Sequence, residues 1–360
     1  MRVAFFGESQ RDNPYLDLLE SALKKQGVVI EPVGSDYLSG RWLISHRTRI
    51  GVLHFHWIQY HYVKAPCVGS WCALVKFVGQ IFLARVLGYR IVWTLHNVLP
   101  HERVNGQMDV VARKAMALLA HSALVLCEEG RRQLAEQFGR RKQVYVTPLG
   151  HYVGAHLDKV SRGHARMKLG LRSKDIMYLF FGGVRPHKNV EALLQTFAEM
   201  PGEDMRLFIV GAAHGDEIRQ RVPRMAATDC RVTTVLEFVP DDEVQYYMRA
   251  ADIVVSPFAK VLSSSSVILA MSFGRPVIAP AIGCLPEWVT TECGILYDPT
   301  DSEGLRRAML AAQSADLTGM GQAAYQRALA FSWDVIARET LAAYLRAERG
   351  RKKNPRSAFG

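Results

Sequence analysis

Ser263-Ser264-Ser265-Ser266-Val267-Ile268-Leu269-Ala270-Met271-Ser272-Phe273-Gly274-Arg275-Pro276-Val277-Ile278-Ala279-Pro280 is the stretch on which the reading of this chain turns. Four hydroxyl residues precede an apolar run of helical length, Gly274 closes it, and a short strand-like run follows. Serine is favoured at helix N-caps, where its oxygen accepts from free backbone N–H groups, and the first turn carries partial positive charge. Such a helix start suits a phosphate facing a cleft. An ordinary capped helix fits the same residues, so the surroundings decide.

Outward from that stretch the pattern alternates. Before it, the sequence predicts strands at Met177 to Phe181, Leu207 to Val210, Val235 to Val239 and Ile253 to Val255. Helices are expected at Val190 to Met200, from Asp216, and at Asp242 to Arg249. After it come a Val277-Ile278 strand and helices from about Glu303 and Trp333. The first half repeats the scheme. Val3 to Phe6 leads to Tyr15 to Lys25, Val52 to Phe55 to Val68 to Leu87, and Ile91 to Leu95 to Val110 to Leu119. Ala123 to Leu126, Glu128 to Phe138 and Val144 to Thr147 complete it.

Strands alternating with helices of this length argue for βαβ units and parallel sheets. The expected fold is α/β, with two Rossmann-like doubly wound domains facing across a cleft. The expected domains are 1–150, a linker over 151–173, a second domain over 174–332, and a C-terminal helix with a basic tail over 333–360 that packs back on the first. Ligands in such sheets bind beyond the carboxyl ends of the strands.

A chain of 360 residues has room for two cores of roughly 150 to 180 residues each. Its net charge of +11 favours anionic partners: phosphorylated small molecules, nucleic acid or an anionic membrane surface. The basic residues are spread rather than interleaved with aromatics on one face, which argues against nucleic acid. Six scattered cysteines indicate neither a zinc site nor a disulfide framework. The opening Met1 to Gly7 reads as a buried strand rather than a signal peptide, and Lys76, Gln80 and Arg85 interrupt the apolar run from Cys67 to Tyr89, so a cytoplasmic location is expected.

In Phe180-Phe181-Gly182-Gly183-Val184-Arg185-Pro186-His187-Lys188-Asn189 a core strand ends in two glycines and two cations. Gly183 permits a tight turn, and Arg185 and Lys188 can reach a diphosphate over the strand end, one as a fork and one as a point charge. At Leu207 to Ala213, Gly211 would let a ligand approach the backbone. Two histidine-rich stretches, His54 to His61 and Thr94 to Glu102, each follow an apolar strand. His56 and Asn97 there are candidates for hydrogen bonds to a hydroxyl-rich substrate or to phosphate. Neither stretch has a zinc spacing, and no metal or other cofactor is expected. No Walker A sequence, G-x-G-x-x-G after the first strand, or G-x-S-x-G elbow occurs, which removes the kinase, dehydrogenase and hydrolase readings.

The order of these stretches resembles glycosyltransferases of the family 4-like, two-Rossmann-domain group, known as the glycosyltransferase B type, over nearly the whole chain. Gly182 to Lys188 is similar to the donor-phosphate turn of that group, and Tyr246 to Pro257 to its Y-x-x-A-D-x-x-V-x-P segment. Ala270 to Ala279 is similar to its E-A-M-A-x-G-x-P-V-I-A segment. Asn13-Pro14-Tyr15, His54 to Trp57, Thr94 to Glu102 and Gly150 to Tyr152 resemble bacterial exopolysaccharide enzymes, some of them mannosyltransferases. The resemblance implies that Ser263, Ser264, Ser265 and Ser266 hold a nucleotide diphosphate, with Arg185 and Lys188 approaching from the next strand end. It further implies a UDP- or GDP-linked sugar as donor, a lipid-linked saccharide as acceptor and a peripheral place on the inner face of the cytoplasmic membrane. The Cys67 to Tyr89 segment is a candidate for that membrane contact.

Two departures bear on mechanism. The group usually carries two glutamates eight positions apart around the serine helix; here Val261 and Leu269 stand in their places. The glycine-rich first loop is reduced to Gly7-Glu8-Ser9. Retention of anomeric configuration is therefore open, and an inverting reaction would need a general base, for which His96, His101, Glu102 and Glu8 are unranked candidates. The alternatives are a non-catalytic relative acting as a scaffold in polysaccharide assembly, or a sugar-nucleotide epimerase.

Overall fold

The structure is a computed structural model, and it describes residues 1–7, 13–33, 38–63, 67–99 and 106–349. The chain divides into two compact units: Met1–Leu149 together with the chain from Ser332, and Gly150–Phe331. The catalytic candidates Glu8, His101 and Glu102 lie outside the described residues.

The first unit runs β1 (Arg2–Phe6), α1 (Tyr15–Lys25), β2 (Val29–Val33), α2 (Gly40–His46), β3 (Val52–Phe55), α3 (Cys67–Val86) and β4 (Arg90–Leu95). It continues with α4 (Gly106–Leu119), β5 (Ser122–Val125), α5 (Glu128–Phe138) and β6 (Val144–Val146). Its sheet is all parallel in the order β2-β1-β3-β4-β5-β6, with Phe6 opposite Phe55 and Leu95 opposite Val125. Strands β3 and β5 are buried at every residue. That is why they read as continuous runs rather than alternating ones: helices cover both faces. The chain order reverses between β1 and β3, the strands that lead into Gly7 and His56, and such reversal points are where sheets of this kind open a crevice.

The second unit runs α6 (Arg162–Lys168), β7 (Ile176–Phe181), α7 (Val190–Ala198), β8 (Met205–Val210), α8 (Asp216–Ala226), β9 (Val232–Val235) and α9 (Asp241–Ala250). Then follow β10 (Ile253–Val255), α10 (Ser265–Ser272), β11 (Val277–Pro280), α11 (Leu285–Trp288), β12 (Gly294–Tyr297), α12 (Gly304–Ala312) and α13 (Leu317–Ala330). Its sheet is also all parallel, in the order β12-β11-β10-β7-β8-β9, and it reverses between β7 and β10. Both units are thus Rossmann-like, as the alternating pattern predicts. Strand β9 ends at Val235, so the expected strand at Val235 to Val239 is displaced toward the N-terminus.

The last helix, α14 (Trp333–Arg349), packs on α1 and over β4 and β5 of the first unit. Tyr344 on it is fully buried and bonds His54 of β3. Among the described residues no helix is long and apolar enough to cross a membrane.

Candidate functional site

In the second unit the site is built at the point where the sheet reverses. Strand β7 ends in Gly182, with φ +125°, and neighbouring β8 ends in Gly211, with φ +135°. A Cβ on Gly211 would stand 2.3 Å from the Gly182 carbonyl oxygen, so only glycine fits there. The backbone then stays paired past the strands, through Gly182 N–H to Val210 O and Val184 N–H to Ala212 O. This lays Gly183 and the following turn flat over the sheet edge.

The turn Pro186–Lys188 is one turn of 3-10 helix, closed by Asn189 in the left-handed region at φ +57°. It is tied to the loop after β10 by Ala259 N–H donating to His187 O at 3.0 Å. Within that contact the Lys188 ammonium stands 3.9 Å from the Phe258 ring centroid. Burial, and secondarily Arg185, lower the Lys188 pKa to about 8. Arg185 lies within 3.5 Å of His214 Nε2, and a Cβ on Gly183 would meet the same nitrogen at 3.2 Å. Two crowded cations are what a site awaiting a polyanion would present.

Helix α10 starts beside them. A Cβ on Gly182 would stand 3.7 Å from Ser266 Cβ, so the first turn of α10 lies against the end of β7. The N-cap is Ser264, which is buried, and its hydroxyl does not cap the helix. It bonds the Ser266 hydroxyl at 2.9 Å instead. That departs from the capping expected of the serines. The first-turn N–H groups get nothing from that side chain, and an anion would complement them. Gly274, with φ +65°, ends the helix. Val261 is half-buried in the loop before α10, and Leu269 is buried on the helix. Neither can bond a sugar hydroxyl.

The structure thus brings together Gly183, Arg185, Lys188, Gly211, Ser264 and Ser266, with Ser263 and Ser265 flanking them in sequence. His214 and Phe258 join them although the sequence reading did not select either. His214 follows the β8 strand end by four residues and could have been found by continuing that segment past Ala213.

In the first unit three histidines meet at the ends of β3 and β4. His54 Nδ1 is 2.7 Å from the Tyr344 hydroxyl and its Nε2 2.7 Å from Thr94 Oγ1. His56 Nδ1 is 3.1 Å from His96 Nε2, and the His96 ring stacks on Trp57 with centroids 4.3 Å apart. All three are buried. Burial lowers the pKa of His54 and of His96 to about 3, with His96 adding to the effect on His54. It takes His56 well below its ordinary value, helped by the other two rings. These are neutral hydrogen-bonding groups. Asn97 lines a pocket with His56, Trp57, Gln59, Thr94, His96 and Arg113. Among the described residues no three or more His, Cys, Asp or Glu side chains gather to hold a metal ion.

Residues 175–314 match the family model described as glycosyl transferases group 1. The chain is 26% identical over 273 residues to a GDP-mannose:glycolipid 4-beta-D-mannosyltransferase of Xanthomonas campestris pv. campestris, a match covering 74% of this chain and 70% of that enzyme. It is 31% identical over 268 residues to a D-inositol 3-phosphate glycosyltransferase of Geodermatophilus obscurus, covering 69% of this chain but 56% of that one. In fold it is similar to sucrose-phosphate synthase of Thermosynechococcus elongatus (TM-score 0.76, 18% identity, 97% and 99% of the two chains). It is also similar to Anabaena HepE solved with UDP and glucose (TM-score 0.71, 19% identity, 95% and 100%). The matched residues hold the second sheet and its glycine, cation and serine cluster, so this part of the chain is similar to the glycosyl transferases of group 1, and both units have the Rossmann-like architecture of the GT-B fold.

Proposed function

We propose that the protein moves a hexose from a nucleoside diphosphate sugar to a lipid-linked saccharide, in bacterial exopolysaccharide or other surface polysaccharide synthesis. The observation that carries this reading is the gathering of Arg185, Lys188 and the α10 start around the glycine-ended strands β7 and β8. There the leaving diphosphate is held by fixed cations and backbone N–H groups as its negative charge develops. No metal is needed in this scheme. GDP-mannose is the first donor to test, because the Xanthomonas relative is named for it. UDP-glucose is the second, because HepE was solved with UDP and glucose.

The acceptor would meet Asn97, beside the buried His56, in the first unit. Docking on an anionic inner leaflet is supported by the outer face of α3, where Trp71, Val75, Phe82 and Val86 are exposed beside Lys76 and Arg85. No acidic residue occurs on that helix. Apolar side chains with flanking cations suit a headgroup layer.

Isothermal titration with GDP and UDP tests the reading: saturable binding that Arg185→Ala with Lys188→Ala abolishes supports it, and unchanged binding in that variant overturns it. A non-catalytic scaffold is the second reading, favoured by Val261 and Leu269 standing where the resemblance places glutamates. Turnover of a nucleotide sugar by the purified protein with membrane extract excludes it.

A further inference from the structure

Trp57 takes no part in the donor cluster, yet its placement is closely fixed. Strand β3 stays paired one residue past its end, where His56 N–H donates to Phe6 O at 3.0 Å. The chain then makes one turn of 3-10 helix at Ile58–His61, anchored by Ile58, which is buried. Between the two, the Trp57 indole emerges at the carboxyl edge of the sheet. It lies on the His96 ring at the end of β4, with centroids 4.3 Å apart and planes 17° from parallel. Tyr15 of α1 meets both rings edge-on, 6.2 Å from Trp57 and 5.0 Å from His96. One face of the indole is thus held, and among the described residues no second ring stacks on it.

Trp57, Gln59 and Asn97 are half-buried, whereas the three histidines beside them are buried. Among the described residues nothing accepts from the Trp57 indole N–H, and nothing bonds the side-chain amide of Gln59 or of Asn97. All three line one small cavity with His56 and Arg113, which has room for about one water, so a ligand would lie on its rim and not inside. The rim carries no open charge. The histidines are neutral, and Arg113 is closed off behind it by the Tyr62 hydroxyl at 3.1 Å and the Asp109 carboxylate at 3.8 Å. Recognition there falls to an aromatic face, an N–H donor and two amides that both donate and accept.

We infer that Trp57, Gln59 and Asn97 form a subsite for one pyranose ring, stacked by its C–H face on the indole and hydrogen-bonded through its hydroxyls to the two amides. The electron-rich face of an indole attracts the weakly positive C–H groups of a sugar, and an amide matches hydroxyls that donate and accept. A phosphate or a carboxylate finds no exposed cation among the described residues of this rim, and a lipid chain would leave the amides unmet. In assigning the pyranose to the saccharide acceptor the inference rests on the proposed reading; the binding of a sugar does not.

The test uses the full chain, isotope-labelled at the tryptophan indole nitrogens, in which the signal lost on Trp57→Phe assigns the Trp57 N–H. Methyl glycosides of glucose, mannose and galactose are titrated separately, with glycerol as a source of hydroxyls without a ring. A saturable shift of the Trp57 signal with at least one glycoside, and none with glycerol, is expected. Gln59→Ala and Asn97→Ala should each weaken that glycoside about fivefold or more, through the loss of hydrogen bonds to its hydroxyls. Trp57→Ala should abolish binding read on the glycoside's own proton signals, and Trp57→Phe should keep part of it, since a phenyl ring retains a stacking face. No saturable shift with any glycoside, an equal response to glycerol, or affinity unchanged in both amide variants overturns the inference. If Trp57→Ala unfolds, the two amide variants, on half-buried side chains, decide. GDP and UDP binding is measured in separate titrations. Sugar binding without nucleotide binding removes the donor reading and keeps this subsite, and the converse removes the subsite alone.

Discussion

The Lys188 ammonium stands 3.9 Å from the Phe258 ring centroid, in a turn held to the β10 loop by the His187–Ala259 backbone bond. The aromatic face offsets part of the burial that lowers its pKa to about 8. Diphosphate binding requires the charged form and raises the pKa of the bound state. Nucleoside diphosphate affinity should therefore be flat below pH 8. Above it, affinity should weaken by up to about tenfold per pH unit until the bound-state pKa is passed. Titration calorimetry from pH 6.5 to 9.5 measures this. A flat profile in the parent chain, matched by Lys188→Met, would remove Lys188 from the site.

The close approach of Gly182 and Gly211 leaves no room for a methyl group. Gly211→Ala must relieve a 2.3 Å clash with a carbonyl oxygen while holding φ at +135°. A loss of roughly 3 kcal/mol or more in urea unfolding is expected, because both overpacking and backbone strain contribute. Gly183→Ala meets the exposed His214 ring at 3.2 Å and Arg185 Nε at 3.7 Å, both on side chains that can give way, and should be tolerated by the fold. Its effect should fall on nucleotide affinity instead.

Much of this architecture is legible in the chain itself, and the misses have physical causes. Strand β2 escapes the sequence pattern, because Glu31 and Pro32 interrupt its apolar run; it lies at the sheet edge, where proline is tolerated. Helix α13 was hidden by Gly319 and Gly321, which lower helix propensity. Gly321 is required all the same, since a Cβ there would stand 2.4 Å from the Gly274 carbonyl oxygen where α13 meets α10. The serine stretch could be read because its helix and glycine stop are local. The roles of Arg113 and Tyr344 could not, because their partners lie 51 and 290 residues away in sequence.

The three neutral histidines make the first unit acid-sensitive. Each has a folded pKa below its unfolded value near 6.5, so the unfolded chain binds more protons once the pH falls beneath that value. Their contribution is present above about pH 6.5 and is lost progressively down to about pH 3. Urea midpoints should fall with pH across this window. His54→Phe should cost about 2–3 kcal/mol at pH 7.5, since it leaves the buried Tyr344 and Thr94 hydroxyls without the ring. A midpoint unchanged between pH 7 and 4.5 would contradict the assignment of neutral, buried rings.

Asp252 sits in the Y-x-x-A-D segment that carries part of the family resemblance, yet it stands at the opposite end of the sheet from the glycine turn. Its Oδ2 accepts from Met177 N–H at 2.8 Å, at the start of β7, and from Arg166 Nη1 at 3.1 Å, while Oδ1 pairs with Arg162. Arg166 also reaches the Ala250, Arg172 and Asp175 carbonyls, so one carboxylate joins α6, β7 and the start of β10. Removing it leaves a nearly buried guanidinium without its counter-ion. Asp252→Ala should therefore lose about 3 kcal/mol. Nucleoside diphosphate affinity, measured well below the melting temperature, should stay within about twofold of the parent, because structure rather than ligand holds this residue. A variant that keeps its stability but loses nucleotide binding would place Asp252 in the site instead of beneath it.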